Sequence, residues 1–190
     1  MLRPHYPIQT ARLVLRPFVP NDFRALHDLE SRPDVARYLY WEPWTEGDTR
    51  DGLSLMVLRT TIEHEGDRIQ LAVQRRDSGA MIGAVNLAWT NERHRQGEIG
   101  YILHPEHHGQ GFATEAAMEM LRLGFEGLRL HRIVARCDAR NTPSTRVMER
   151  MGMRREAHLR ENEFVKGEWA DELIYAMLEG EWHAKASSAG

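Results

Sequence analysis

Apolar and polar residues alternate over residues 11–17, Ala-Arg-Leu-Val-Leu-Arg-Pro, which predicts a half-buried strand closed by proline. Asn21-Asp22 then caps a helix with apolar positions at Phe23, Leu26 and Leu29. Residues 31–45 form a loop rich in aromatics and prolines. After it, Leu53, Leu55, Met56 and Ile62 predict a second helix from Thr45 or Asp48 to about His64, stopped by Gly66. Residues 69–75 and 81–89, joined by Asp77-Ser78-Gly79, read as a hairpin, and the polar run 90–96 turns the chain into a strand over 97–103. Ala113, Ala117, Met120, Leu121, Gly124, Phe125 and Leu128 recur at helical spacing, about four turns with one buried face. A crossover of that length returns the next strand, 132–138, parallel to 97–103. Residues 141–152 predict a short helix with Thr142 as cap, Pro143 first inside and Gly152 as the stop. A closing hairpin, 154–165 and 172–178 around Lys166-Gly167-Glu168, precedes a small-residue tail over 184–190, expected to be flexible.

The chain is organised around residues 97–117, where a strand, a glycine-spaced turn and a helix start follow one another directly. Pro105 stops the strand, and Gly109, Gly111 and Ala113 leave the backbone nearly bare where the helix begins. Bare amides at a helix N-terminus, aided by the macrodipole, suit a phosphate or pyrophosphate. The same glycines also serve a plain strand-to-helix turn, and the spacing alone leaves both open. Phe112 and Ala113 stand where a nucleotide-binding Walker loop needs Lys and Ser/Thr, so that loop fits poorly. A dinucleotide fingerprint fails too, because only two glycines are present and they lie past the middle of the chain.

Composition narrows the classes. At 190 residues the chain is long enough for one well-buried core and short for two domains, so residues 1–183 are read as a single domain. A formal charge of -3 gives no electrostatic case for nucleic acid. No apolar run approaches the roughly 18 residues of a membrane span, and Met1-Leu2-Arg3-Pro4-His5 lacks a signal-peptide core. A cytoplasmic location without a membrane partner is expected. The single cysteine, Cys137, excludes an internal disulfide and reads as a buried structural residue. Among ten histidines, His104, His107 and His108 cluster without any familiar ligand spacing, so no metal is expected.

The order of these motifs resembles the GCN5-related N-acetyltransferase (GNAT) superfamily, and within it the RimJ/RimL-type branch. The resemblance rests on 10–17, on 99–103 with Gly109-Gln110-Gly111-Phe112-Ala113-Thr114-Glu115-Ala116, on Asn141-Thr142-Pro143-Ser144 with Met151-Gly152-Met153, and on Tyr175-Ala176-Met177-Leu178 with Glu181-Trp182. It implies an α+β fold, layered α/β/α, with a mixed and mostly antiparallel sheet of about seven strands, a splayed parallel pair in its middle and about four flanking helices. It implies acetyl-CoA as co-substrate, its pyrophosphate on the backbone from His108 and Gly109 through Gln110, Gly111, Phe112 and Ala113 to Thr114. The pantetheine arm would enter between strands 97–103 and 132–138, on amides near Ile102 and Leu103, with Asn141 and Ser144 beside it. His108 departs from the Arg or Gln usual at the start of that phosphate motif. The implied acceptor is a primary amine, of a protein N-terminus or a small molecule, and a homodimer is compatible with the resemblance.

Transfer to an amine needs a group that takes the ammonium proton and another that protonates the leaving thiolate. Glu98 is the candidate base, directly or through water; its bland role is a strand-end salt bridge. Strict alternation puts Glu98 and Tyr101 on opposite faces, so a bulge is expected if both serve one site. The position of Ser144 is, by resemblance, a candidate acid, although its hydroxyl also suits a helix start. Tyr101 is the fallback, because 141–151 contains no tyrosine. The aromatic loop is either a lid packed on the core or a wall for the acceptor, and the glutamates of 156–163 are candidates for the amine side. Two other classes fit less well: a silent acyl-CoA-binding module, and a nucleotide enzyme that the missing Lys-Ser/Thr pair disfavours.

Overall fold

The computed structural model describes residues 1–188, with side chains through residue 185. Eight strands form one sheet: β1 Ile8–Gln9, β2 Leu13–Pro17, β3 Arg68–Arg75, β4 Met81–Asn91, β5 Gln96–Leu103, β6 Arg132–Asp138, β7 Arg154–Val165 and β8 Glu168–Leu178. Their order across the sheet is β1-β2-β3-β4-β5-β6-β8-β7. All neighbours are antiparallel except β5 and β6, which the helical crossover between them makes parallel.

Helices cover both faces. On one side α4 Phe112–Arg122, α5 Thr142–Met151 and α6 Glu179–Ser188 pack over the larger core, which holds Leu13, Leu15, Val85, Ile99, Met120 and Ile133. On the other, α1 Phe23–Glu30 and α3 Glu46–Leu58 cover Phe18, Leu26, Leu53, Met56, Ala72 and Ala84. A single-turn α2, Pro33–Ala36, lies inside the aromatic loop.

The sheet has one strand more than the sequence predicts, the two-residue β1, which is too short to leave a periodic signal. Two helices are also additional: α2, one turn started by Pro33, and α6, which runs through residues expected to form a flexible tail. Trp182 anchors α6 by stacking on Phe125 at 5.7 Å and donating from Nε1 to Glu126 Oε1 at 3.1 Å. Residues 189 and 190 of that expected tail lie outside the described residues. Helix α3 stops at Leu58 rather than near His64, because the β-branched run Thr60-Thr61-Ile62 extends and Ile62 bridges to Leu2 through two backbone hydrogen bonds. Thr45 caps α3 through its side chain, as one of the two expected starts has it. In α5 the cap is Asn141, not Thr142, since Asn141 Oδ1 accepts the Ser144 amide at 3.2 Å. After α4 the chain widens into a π-turn over Leu123–Gly127; there a side chain on Gly124 would collide with Ile133.

Candidate active site

Three elements meet where β5 ends: the glycine loop, the gap between β5 and β6, and a cleft under the aromatic segment. In the loop, Gly109 and Gly111 have φ of 74° and 82°, the left-handed region that other residues reach at a cost. These two turns aim successive amides outward into the start of α4. Among the described residues, none of the six N–H groups from Gly109 to Thr114 donates to the protein, and the first inward bond is Glu115 N to Gly111 O at 3.0 Å. Thr114 Oγ1 is buried there with no hydrogen-bond partner among the described residues. Arg12 ties β2 to the loop, with Nη1 donating to Gln110 O at 2.8 Å and its guanidinium 4.5 Å above the Phe112 ring. Glu115 takes bonds from Thr10 Oγ1, the Arg12 amide and Arg12 Nε. Burial pushes the Glu115 carboxyl up, but these donors outweigh it and hold it below the ordinary carboxylate range. Six unclaimed amides and an orphaned hydroxyl at a helix start fit a diphosphate, although the whole chain is acidic and Arg12 beside the loop is paired with Glu115.

The parallel pair separates as soon as it forms. Only Gln96, Gly97 and Glu98 pair with Arg132, Ile133 and Val134. Beyond them β5 stays paired with β4 to Leu103, while β6 stays paired with β8 to Asp138, so a wedge opens between the two strands. His104 N donates to Ile82 O on β4 at 2.8 Å, whereas Leu103 O accepts His108 Nε2 at 2.8 Å on the open side. Since residues two apart on a strand share a side, the backbone of Tyr101 and Leu103 faces the wedge and that of Ile102 faces β4. The expectation of a free amide at Ile102 is corrected accordingly, with Tyr101 taking its place. The His108 ring turns back to close the end of β5 and leaves the loop to its backbone.

Ser144 and Tyr101 meet in the wedge. The Tyr101 hydroxyl lies 3.0 Å from both Ser144 O and Ser144 Oγ, and burial pushes its pKa well up, so it remains a proton donor. Cys137 is 7% exposed beside them, its thiol pushed up to about 11 by burial. Glu98 occupies the last paired position at the wedge mouth, with Oε2 3.3 Å from Arg136 Nε. No register shift occurs between Glu98 and Tyr101, and the two side chains do lie on opposite faces. The bulge is unnecessary because the parted strands join the two faces, and both residues line one cleft of about 500 Å³.

That cleft runs under the aromatic segment. Trp44 packs on Gly52 of α3, where any β-carbon would stand 2.5 Å from its ring, while Tyr38, Tyr40 and Trp41 line the opening. The segment is therefore lid and wall together. Glu30, only 2% exposed, accepts Trp41 Nε1 at 3.1 Å; burial raises its carboxyl to about 7, against a smaller lowering by the indole. Behind the wall, Glu172 joins Tyr40 and Asn162 at 3.2 Å each and Arg136 at 3.5 Å. Glu156 instead pairs with Arg132 on the sheet, and none of the glutamates of 156–163 lines the cleft.

Glu98, Tyr101, Ile102, Asn141 and Ser144 thus share the cleft, and Gly109 to Thr114 stand together at the end of β5. Sequence reasoning missed Glu30, Arg136 and Glu172. Glu172 had a visible signal, since it shares its strand face with Ala170, Ile174 and Ala176, a row that is otherwise apolar and buried or partly so. The three histidines diverge: His104 contacts Asp28 at 3.3 Å, His107 lies edge-on to Phe112, and His108 binds Leu103. Among the described residues no three His, Cys, Asp or Glu side chains are grouped to hold a metal.

This arrangement has known counterparts. Residues 12–154 match the acetyltransferase (GNAT) domain family. The chain is 34% identical over 177 residues to the uncharacterized N-acetyltransferase YnaD of Bacillus subtilis, covering 93% of this chain and 99% of that one. A GNAT-family acetyltransferase from Bacillus anthracis superposes with a TM-score of 0.82 at 34% identity, covering 92% and 99% of the two chains. The spermidine N-acetyltransferase of Vibrio cholerae, solved with CoA and spermine, superposes with a TM-score of 0.77 at 26% identity, again covering 92% and 99%. The chain belongs to the GNAT acetyltransferase family. It is an acyltransferase, an N-acetyltransferase that uses acetyl-CoA as co-substrate.

Proposed function

We propose that this enzyme acetylates a primary amine, of a small molecule or a protein N-terminus, by direct transfer within a ternary complex. The observation that carries the reading is the wedge: strand edges left unpaired between a loop of six free amides and a carboxylate at its mouth. Acetyl-CoA supplies an activated acyl thioester. The amides from Gly109 to Thr114 hold its diphosphate, and the open edges of β5 and β6 hold its arm. Glu98 takes the proton of the incoming ammonium. Ser144, hydrogen-bonded to Tyr101, delivers a proton to the departing sulfur, and Asn141 fixes Ser144 by capping α5. Direct transfer is favoured because the one cysteine is buried and its thiol is held protonated near neutrality, a poor acyl carrier. The motif order in the sequence supports the RimJ/RimL-type branch, and the lone reduced cysteine supports the cytoplasm.

Thiol release from acetyl-CoA over a panel of amines and N-terminal peptides tests the reading. No turnover with any acceptor, in protein that binds CoA, would overturn it. Ser144→Ala is expected to lower kcat by about tenfold, and Tyr101→Phe by less, because either hydroxyl can still reach the wedge. Weakened CoA binding at unchanged kcat would make both residues structural. Gly111→Val is expected to weaken CoA binding by about tenfold or more, read by calorimetry. A β-branched residue at φ 82° is strained, and its side chain would crowd the amide cradle.

A further inference from the structure

Resting on the acetyl-transfer reading above, we propose that the acceptor carries an anionic group, and that Arg59 and Arg68 form the subsite for it. Glu30, Glu98, Arg136 and Asp138 line the cleft together with two further arginines: Arg59, just past the end of α3, and Arg68, at the start of β3. Among the described residues, neither arginine has a carboxylate partner; Arg59 Nη1 donates only to the neutral Gln70 Oε1, at 2.9 Å. Three other arginines on the sheet are neutralised, Arg132 by Glu156, Arg136 by Glu98 and Arg16 by Asp22. Burial, and then the neighbouring charge of Arg68, hold the Arg59 guanidinium below its usual range. Glu63 and Asp67 border a neighbouring cavity with both arginines, but Glu63 is paired with Arg3 and Asp67 accepts the Glu63 and His64 amides, so the two adjacent cations repel each other until an anion lies between them.

Register fixes their relation to the reacting end. Arg68 pairs with Ala88 on β4, and Ala88 pairs with Glu98 on β5, so the three residues form one row on one face of the sheet. Two strand spacings separate Arg68 from Glu98, about 10 Å between their backbones. The residue between them is an alanine, which leaves the floor of the row low. The next row holds Gln70, Asn86 and Gly100, and among the described residues the Asn86 amide side chain has no hydrogen-bond partner. A molecule lying along this floor would place an ammonium at Glu98 and an anionic oxygen group at Arg59 and Arg68. A dication would instead bring its second charge against the arginines.

The test compares acceptors of one length and opposite far-end charge, bound to protein saturated with CoA: 6-aminohexanoate, 6-aminohexyl phosphate and 1,6-diaminohexane. Isothermal titration is expected to show the better anionic probe binding at least about tenfold more tightly than the diamine, the size of a charge-assisted pair. Which anion binds better separates a carboxylate from a phosphate. The R59Q/R68Q variant is expected to lose that preference, and R59K/R68K to keep part of it. A diamine that binds as tightly as either anion, or a preference that survives in R59Q/R68Q, overturns the subsite. Thiol release is read on the same samples. Selective binding of the anionic probe without turnover of any amine would support the subsite and overturn the transfer reading.

Discussion

Replacing Glu98 by Gln is expected to lower kcat by about a hundredfold or more, with the CoA dissociation constant changed by less than about twofold. The magnitude is that of a positioned general base, about 10²- to 10⁴-fold. Three observations single this residue out. It is the last residue of β5 paired with β6 before the strands part, so its side chain stands at the mouth of the wedge. It is half-exposed, which lets an ammonium or a bridging water reach it. Arg136 holds it at 3.3 Å and is itself held by Glu172, so the carboxylate has a defined place. Glutamine keeps the shape and can still accept a hydrogen bond from Arg136, but it loses the charge and the ability to take a proton. Part of the lost rate should return as pH rises toward the pKa of the acceptor amine, when free amine replaces ammonium in solution. Weakened CoA binding at unchanged kcat would make Glu98 a strand-end salt bridge and nothing more.

The second large effect concerns Glu30. Burial raises its carboxyl from an ordinary 4.5 to about 7, so the folded protein favours the protonated form. The stability that this group contributes is complete below about pH 4.5 and is lost as pH rises through about 7. A rise of that size corresponds to about 3 kcal/mol. Glu30→Gln should therefore be more stable than the parent at pH 8, by up to about 3 kcal/mol. The two proteins should converge toward pH 4.5. Urea unfolding of both from pH 4.5 to 8 measures this, and a difference that stays constant across the range contradicts it. The same substitution removes a carboxyl from the cleft, and above about pH 7, where that carboxyl ionises, it is expected to raise KM for amines.

Much of the architecture was readable because it is local. Alternation set out the principal strands, and glycine spacing before a helix start marked the loop that the structure leaves free. Where the reading departed from the structure, the cause was a long-range partner. Gly66 looked like a helix stop, yet α3 ends earlier because Ile62 pairs with Leu2, sixty residues away. The tail reading of 184–190 overlooked Trp182, whose stacking on Phe125 holds α6 in place. The parting of β5 and β6 leaves no mark on residue type, and only the resemblance anticipated it. Glu30 and Arg59 lie at helix ends far along the chain from β5, so their place in the cleft depends on register and packing that no local pattern encodes.

The most direct measurement is an amide-resolved NMR titration of the protein with CoA. The amides from Gly109 to Thr114, together with Tyr101 and Leu103, are predicted to shift most and to become protected from exchange. If those amides stay unperturbed while CoA binds and others move, the diphosphate and its arm lie elsewhere, and the account is wrong.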